Sequence, residues 1–126
     1  MPMTELPFGL QGRIFRSPMP FGTYDQEGLL YRAYRDNDIS VIVLLAEDEE
    51  CKHKANRDLR ALYTQDGLTV VHLPIVDFGV PNAGDLQAAV NATVREAQAG
   101  RAIAIHCSAG IGRTGRFCRK SPDMVA

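Results

Sequence analysis

Apolar runs alternate with stretches of helical period along most of the chain, the pattern of an α/β layer fold with a largely parallel sheet. "GRIFRSPMPF" predicts a short first strand at Arg13 to Arg16, closed by Pro18 and Pro20. "YDQEGLLYRAYRDND" predicts a helix whose inner stripe is Leu29, Leu30, Ala33 and Tyr34, with Gly28 as a weak point inside it. The β-branched run from Ile39 to Ala46, "ISVIVLLA", suits a strand buried on both faces. "EDEECKHKANRDLRALYTQDG" opens with acids in its first turn and stops at Gly67, which predicts one helix that complements its own dipole.

"LTVVHLPIV" follows as another strand. From Asp85 to Ala99 the residues Leu86, Ala89, Val90, Thr93, Val94 and Ala97 recur at helical spacing, and Gly100 ends the pattern. "RAIAIH" then forms a short apolar strand. Neither a repeat nor a linker interrupts this order. The expectation is one domain over residues 1–126, with a central, mostly parallel sheet of about four to five strands flanked by helices.

Composition narrows the function classes. The chain has 126 residues, 45% hydrophobic and 23% charged, in the ordinary range of a globular protein. Fourteen basic residues oppose fifteen acidic ones, so the net charge of −1 supplies no long-range attraction to nucleic acid or an anionic membrane. The start, "MPMTELPFGLQG", has no basic segment followed by an apolar core, and no apolar run approaches the roughly 18 residues of a membrane span. A cytoplasmic protein without nucleic-acid or membrane partners is the expectation. Three cysteines do not form a disulfide framework, and His53 and His72 show no metal-ligand spacing.

The chemistry concentrates in "HCSAGIGRTG", His106 to Gly115. Cysteine followed six positions later by arginine occurs twice, as Cys51 with Arg57 and as Cys107 with Arg113, and context separates the two. "CKHKANR" lies in a predicted helix whose backbone N–H groups are already used, so Cys51 reads as structural. "CSAGIGR" follows a strand, carries Gly110 and Gly112, and opens a helix near Arg113. Such a loop turns the amides of Ser108, Ala109, Gly110, Ile111, Gly112 and Arg113 into one anion cradle. The same amides favour a thiolate at Cys107, whose pKa is expected below the usual value of about 8.5, while Arg113 offers a planar fork to two oxygens.

The motif resembles the phosphate-binding loop of the cysteine-dependent protein tyrosine phosphatase superfamily, His-Cys-x5-Arg-Ser/Thr, without a gap. "LPIVDFGVP" resembles that family's acid loop, and the similarity extends from about Arg13 to Gly115. The compact size looks more like the dual-specificity and small prokaryotic members. Low-molecular-weight tyrosine phosphatases place the acid after the cysteine loop, opposite to the order here, and rhodanese-like domains do not need the acid loop.

The resemblance implies a phosphatase-like fold and hydrolysis of phosphate monoesters on phosphoproteins through a phosphocysteine, without metal or other cofactor. Phosphotyrosine would be the substrate, with phosphoserine and phosphothreonine left open beside it. Cys107 is then the nucleophile, and Asp77 the general acid, since strand-end loops of a parallel sheet gather at one edge. Asp85 reads instead as part of the next helix's first turn. Thr114 either hydrogen-bonds the departing thiolate or caps the helix. His106 orients the loop rather than moving protons. No lysine stands in the loop, which disfavours highly anionic substrates such as phosphoinositides.

After Gly115 the chain departs from the family. "RTGRFCRKSPDMVA" turns basic and meets Ser121 and Pro122, so the helix is expected to end at or before Ser121. From Arg113 to Lys120 that is about 12 Å of helix. The sequence thus reads as truncated after the phosphate-binding loop, a C-terminally incomplete domain with the family's C-terminal helices missing. One sheet face is then expected to expose apolar surface. The alternative function is a weak or inactive phosphatase remnant that at most binds phosphopeptides.

Overall fold

The computed structural model describes residues 3–7, 9, 11–76, 79–109 and 112–119. Its elements run β1 (Thr4–Leu6), β2 (Ile14–Ser17), α1 (Leu30–Asp36), β3 (Ile39–Leu44), α2 (Asp48–Ala55), α3 (Leu59–Gln65), β4 (Thr69–His72), α4 (Ala83–Gln98), β5 (Ala102–His106) and α5 (Gly112–Arg119). The five strands form one sheet in the order β1-β2-β5-β3-β4. β2 and β3 both pair parallel to β5, β4 pairs parallel to β3, and β1 is an antiparallel edge on β2. The mostly parallel α/β architecture expected from the pattern is therefore present.

β5 occupies the middle of the sheet, so its carboxyl end emerges between those of β2 and β3, where crossovers leave a crevice. Alternation along the strands divides the core into two layers. Val41, Val43, Ile103 and Ile105 face α4 and α5, packing with Ala89, Val90 and Phe117. Ile42, Leu44 and Ala104 face the other way, against Leu30, Tyr34, Leu59 and Tyr63 from α1 and α3.

Four local expectations change. The helix expected over Tyr24 to Asp38 begins only at Leu30, because the buried Asp25 carboxylate accepts from the backbone N–H groups of Phe21, Leu29 and Leu30 and holds the preceding segment as a turn. Leu29 is consequently exposed rather than inward-facing. The single helix expected from Glu47 to Gly67 is two, since Asn56 adopts a left-handed conformation at φ 57° and Asp58 caps α3 through Ala61 N–H at 3.1 Å. The apolar sheet face is not bare: α4 and α5 cover it, and Val41, Val43, Ile103 and Ile105 are all fully buried.

α4 matches its periodicity, with Asn82 capping Gly84 N–H at 2.8 Å and Asp85 N–H at 3.2 Å. Its exit requires Gly100, at φ 86°. Gly12 is required for a different reason: a Cβ there would lie 2.1 Å from the Arg101 carbonyl oxygen. Among the described residues no helix is long and apolar enough to cross a membrane.

Candidate active site

The site is built where β5 ends. Parallel pairing carries His106 beside Ser17 and Leu44, and Leu45 N–H donates to the His106 carbonyl at 2.9 Å. Cys107 therefore leaves the strand in the central crevice with 2% of its surface exposed. The segment after it is tied to the β2 side by Met19 N–H, which donates to the Ser108 carbonyl at 2.8 Å. α5 begins at Gly112, one residue before Arg113, and its first turn aims back at the cysteine.

Thr114 then lies behind the sulfur, its hydroxyl donating to Cys107 Sγ at 3.3 Å. Arg113 is buried, and its fork closes on Glu50 of α2: Nη1 donates to Oε1 at 2.6 Å and Nη2 to Oε2 at 2.7 Å. Nη1 also donates to the Ile75 carbonyl at 2.9 Å. These bonds hold the Glu50 carboxyl far below its usual range, at about 2, chiefly through Arg113 and against the opposing effect of burial. The carboxylate in turn fixes the plane of the guanidinium.

His106 is wholly buried. Its Nε2 meets the Tyr63 hydroxyl at 2.8 Å and its Nδ1 the Cys107 carbonyl at 3.1 Å. Burial lowers its pKa to about 4, so the ring is neutral at physiological pH. Cys51 is also buried, and desolvation together with nearby carboxylates pushes its thiol up to about 12, in keeping with a structural residue.

Cys107, Ser108, Ala109, Gly112 and Arg113 line one cavity of about 240 Å³, joined by Tyr24, Lys54 and Arg116. Asp77, Gly110 and Ile111 lie outside the described residues. Arg116 Nη1 donates to the Gly79 carbonyl at 2.7 Å, which ties α5 to the segment following β4.

Sequence reasoning missed five contributors: Glu50, Lys54, Tyr63, Tyr24 and Arg116. The absence of lysine from the loop does not make the cavity lysine-free. Lys54 arrives from α2, bonded to Ser108 Oγ at 3.0 Å and to Glu50 Oε2 at 2.7 Å. The Glu50–Lys54 spacing of one helical turn is visible in the sequence, but it also describes a solvated surface pair. Only the fold turns it toward Arg113, 63 residues away.

Comparison with known proteins bears on the family and the fold. Residues 23–119 match the family described as polymorphic toxin system, DSP-PTPase phosphatase. Receptor-type tyrosine-protein phosphatase alpha of Homo sapiens is 33% identical over 89 residues, 64% of this chain and 11% of that much longer protein. The structure superposes on kinase associated phosphatase, crystallised with its catalytic-site cysteine substituted by serine, with a TM-score of 0.85 and 17% identity over 98% of this chain and 74% of that one. Tk-PTP in its active form gives a TM-score of 0.65 and 29% identity over 84% of this chain and 64% of that one. The chain thus belongs to the family described as polymorphic toxin system, DSP-PTPase phosphatase, within the cysteine-dependent dual-specificity phosphatase superfamily.

Proposed function

We propose that the chain hydrolyses phosphate monoesters on phosphoproteins through a phosphocysteine. The observation that carries this reading is the convergence of Cys107 and Arg113 at one cavity, with the hydroxyl of the buried Thr114 on the sulfur and the Arg113 fork aligned by Glu50.

In the first step the Cys107 thiolate attacks phosphorus in line. An S–P bond forms, the P–O bond to the leaving group breaks, and Asp77 gives its proton to the departing oxygen. In the second step Asp77, now a carboxylate, takes a proton from water. The water oxygen bonds to phosphorus, the S–P bond breaks, and inorganic phosphate and the thiolate are released. The loop amides from Ser108 to Arg113 hold the non-bridging oxygens, Arg113 takes two of them, and Thr114 stabilises the departing sulfur. His106 keeps the loop oriented. Neither displacement draws on a metal or cofactor.

The test is turnover of an aryl phosphate by the purified chain with chelator present. Cys107→Ser is expected to abolish it and Asp77→Asn to reduce it strongly. A folded chain without turnover that still binds a phosphopeptide through Arg113 overturns hydrolysis in favour of a binding module.

A further inference from the structure

Arg116 lines the cavity that holds Cys107 and Arg113, yet the proposed chemistry gives it no task. It stands three residues after Arg113 in α5, so both side chains leave one face of that helix. Both reach the segment that follows β4, at different points. Arg113 Nη1 donates to the Ile75 carbonyl at 2.9 Å, and Arg116 Nη1 donates to the Gly79 carbonyl at 2.7 Å. Among the described residues no carboxylate pairs with Arg116, and the Gly79 carbonyl is the group it bonds.

The segment gripped in this way has little else to hold it. Ile75 is buried, and its N–H donates to the Leu45 carbonyl at 3.2 Å. Beyond it Val76 is 60% exposed and Val80 79% exposed, and neither belongs to either core layer. Gly79 N–H closes a turn onto the Val76 carbonyl at 2.6 Å, and a Cβ at Gly79 would lie 2.7 Å from that same oxygen, so the turn requires glycine. Burial therefore does not fix this stretch, and a charge-assisted bond from α5 is the stronger restraint on its far end. In the sequence Asp77 directly follows Val76 and stands two residues before Gly79.

We infer that Arg116 is a positioning residue for the general acid: with Arg113 it fixes both ends of residues 75–79 against α5 and so sets where the acid stands relative to Cys107. The helix turn that aims Arg113 at the phosphate site also aims Arg116 at Gly79, so cradle and acid segment share one reference. Such placement matters because a displacement of about 1 Å in a catalytic group costs on the order of a hundredfold in rate.

This inference rests on the phosphomonoester chemistry proposed above, in which Asp77 protonates the leaving oxygen, and its test separates the two. Protonation matters most when the leaving oxygen is strongly basic. kcat/KM is compared for phenyl phosphate and the more activated nitrophenyl phosphate on the wild-type chain, Arg116→Met, Arg116→Lys and Asp77→Asn. Arg116→Met, which keeps the aliphatic stem, is expected to lose about tenfold or more on phenyl phosphate and less than about threefold on the nitrophenyl ester. Arg116→Lys keeps a charged donor and is expected to recover part of that loss; it carries the comparison should Arg116→Met not fold. Added to Asp77→Asn, Arg116→Met is expected to bring no further discrimination between the esters, because the acid it positions is gone. Inhibition by inorganic phosphate is expected to be unchanged.

Unchanged kcat/KM overturns the inference, and equal losses on both esters with weaker phosphate inhibition overturn it in favour of a phosphate ligand. Hydrogen exchange read by mass spectrometry judges the restraint without turnover. Amides of residues 75–80 in folded Arg116→Met are expected to exchange about tenfold faster than in wild type, while those of β5 do not. If the folded wild type hydrolyses neither ester, the phosphatase reading fails while faster exchange still supports the restraint; unchanged exchange rejects the restraint whatever the turnover.

Discussion

Replacing Glu50 by glutamine tests how the site is held together. The carboxylate receives two N–H bonds from the buried Arg113 fork and a third from Lys54. Holding it near 2 rather than 4.5 corresponds to roughly 3 kcal/mol in favour of the charged form, which partial solvent contact reduces to about 2 kcal/mol of stability. Glutamine preserves shape and one acceptor but removes the charge, so a loss of about 2 kcal/mol, or about 7 °C in Tm, is expected at pH 7. The sign with pH follows from the depressed pKa. The stabilisation is fully present above about 4.5 and is lost as pH falls toward about 2, so the gap between wild type and Glu50→Gln closes in acid. Urea unfolding of both proteins at pH 7, 5 and 3 measures it, and inhibition by inorganic phosphate at pH 7 reports whether Arg113 keeps its aim. A difference below about 0.5 kcal/mol at pH 7, within the range of an exposed ion pair, or one that widens in acid, refutes the argument.

Other expectations follow from individual contacts. Thr114→Val removes the hydroxyl on Cys107 Sγ, and loss of a bond to a departing thiolate is expected to slow phosphocysteine breakdown about tenfold or more, visible as a burst in rapid-mixing kinetics. His106 is held neutral with its pKa lowered from 6.5 to about 4. Its contribution is intact above about 6.5 and fades as pH falls toward about 4, on the order of 3 kcal/mol, so His106→Asn is expected to flatten the stability profile in that interval. Thiol alkylation of the native chain at pH 8, read by mass spectrometry, is expected to spare Cys51, whose thiol titrates near 12 in its buried site. Asn82→Ala removes the α4 cap and is expected to lower stability by about 1 kcal/mol in urea unfolding.

The layer fold, α4 and the cysteine loop were legible in the sequence because each depends on near neighbours. Alternation of β-branched runs with helical stripes specifies parallel strands, and Asn82, Gly100 and the apolar spacing between them delimit one helix. The order Cys107, glycines, Arg113 and Thr114 marks a strand end followed by a helix start, and β5 does end at His106 and α5 begin at Gly112. The shape of α2 and α3 was not legible, because a continuous polar pattern conceals the single left-handed Asn56 that divides them. Nor was β1, three mostly exposed residues whose strand character comes from pairing with β2. Tertiary structure alone decided which charges serve the site. Glu50 and Lys54 look like any solvated helix pair until β3 and β5 stand side by side and set α2 against the phosphate loop. Tyr24 likewise reads as one more helical residue until Asp25 withdraws the backbone around it into a turn and leaves the ring at the cavity mouth. Local pattern determines elements, because hydrogen bonding and side-chain period act over a few residues. Long-range pairing determines partners, because it brings together charges and rings whose sequence separation carries no trace of their contact.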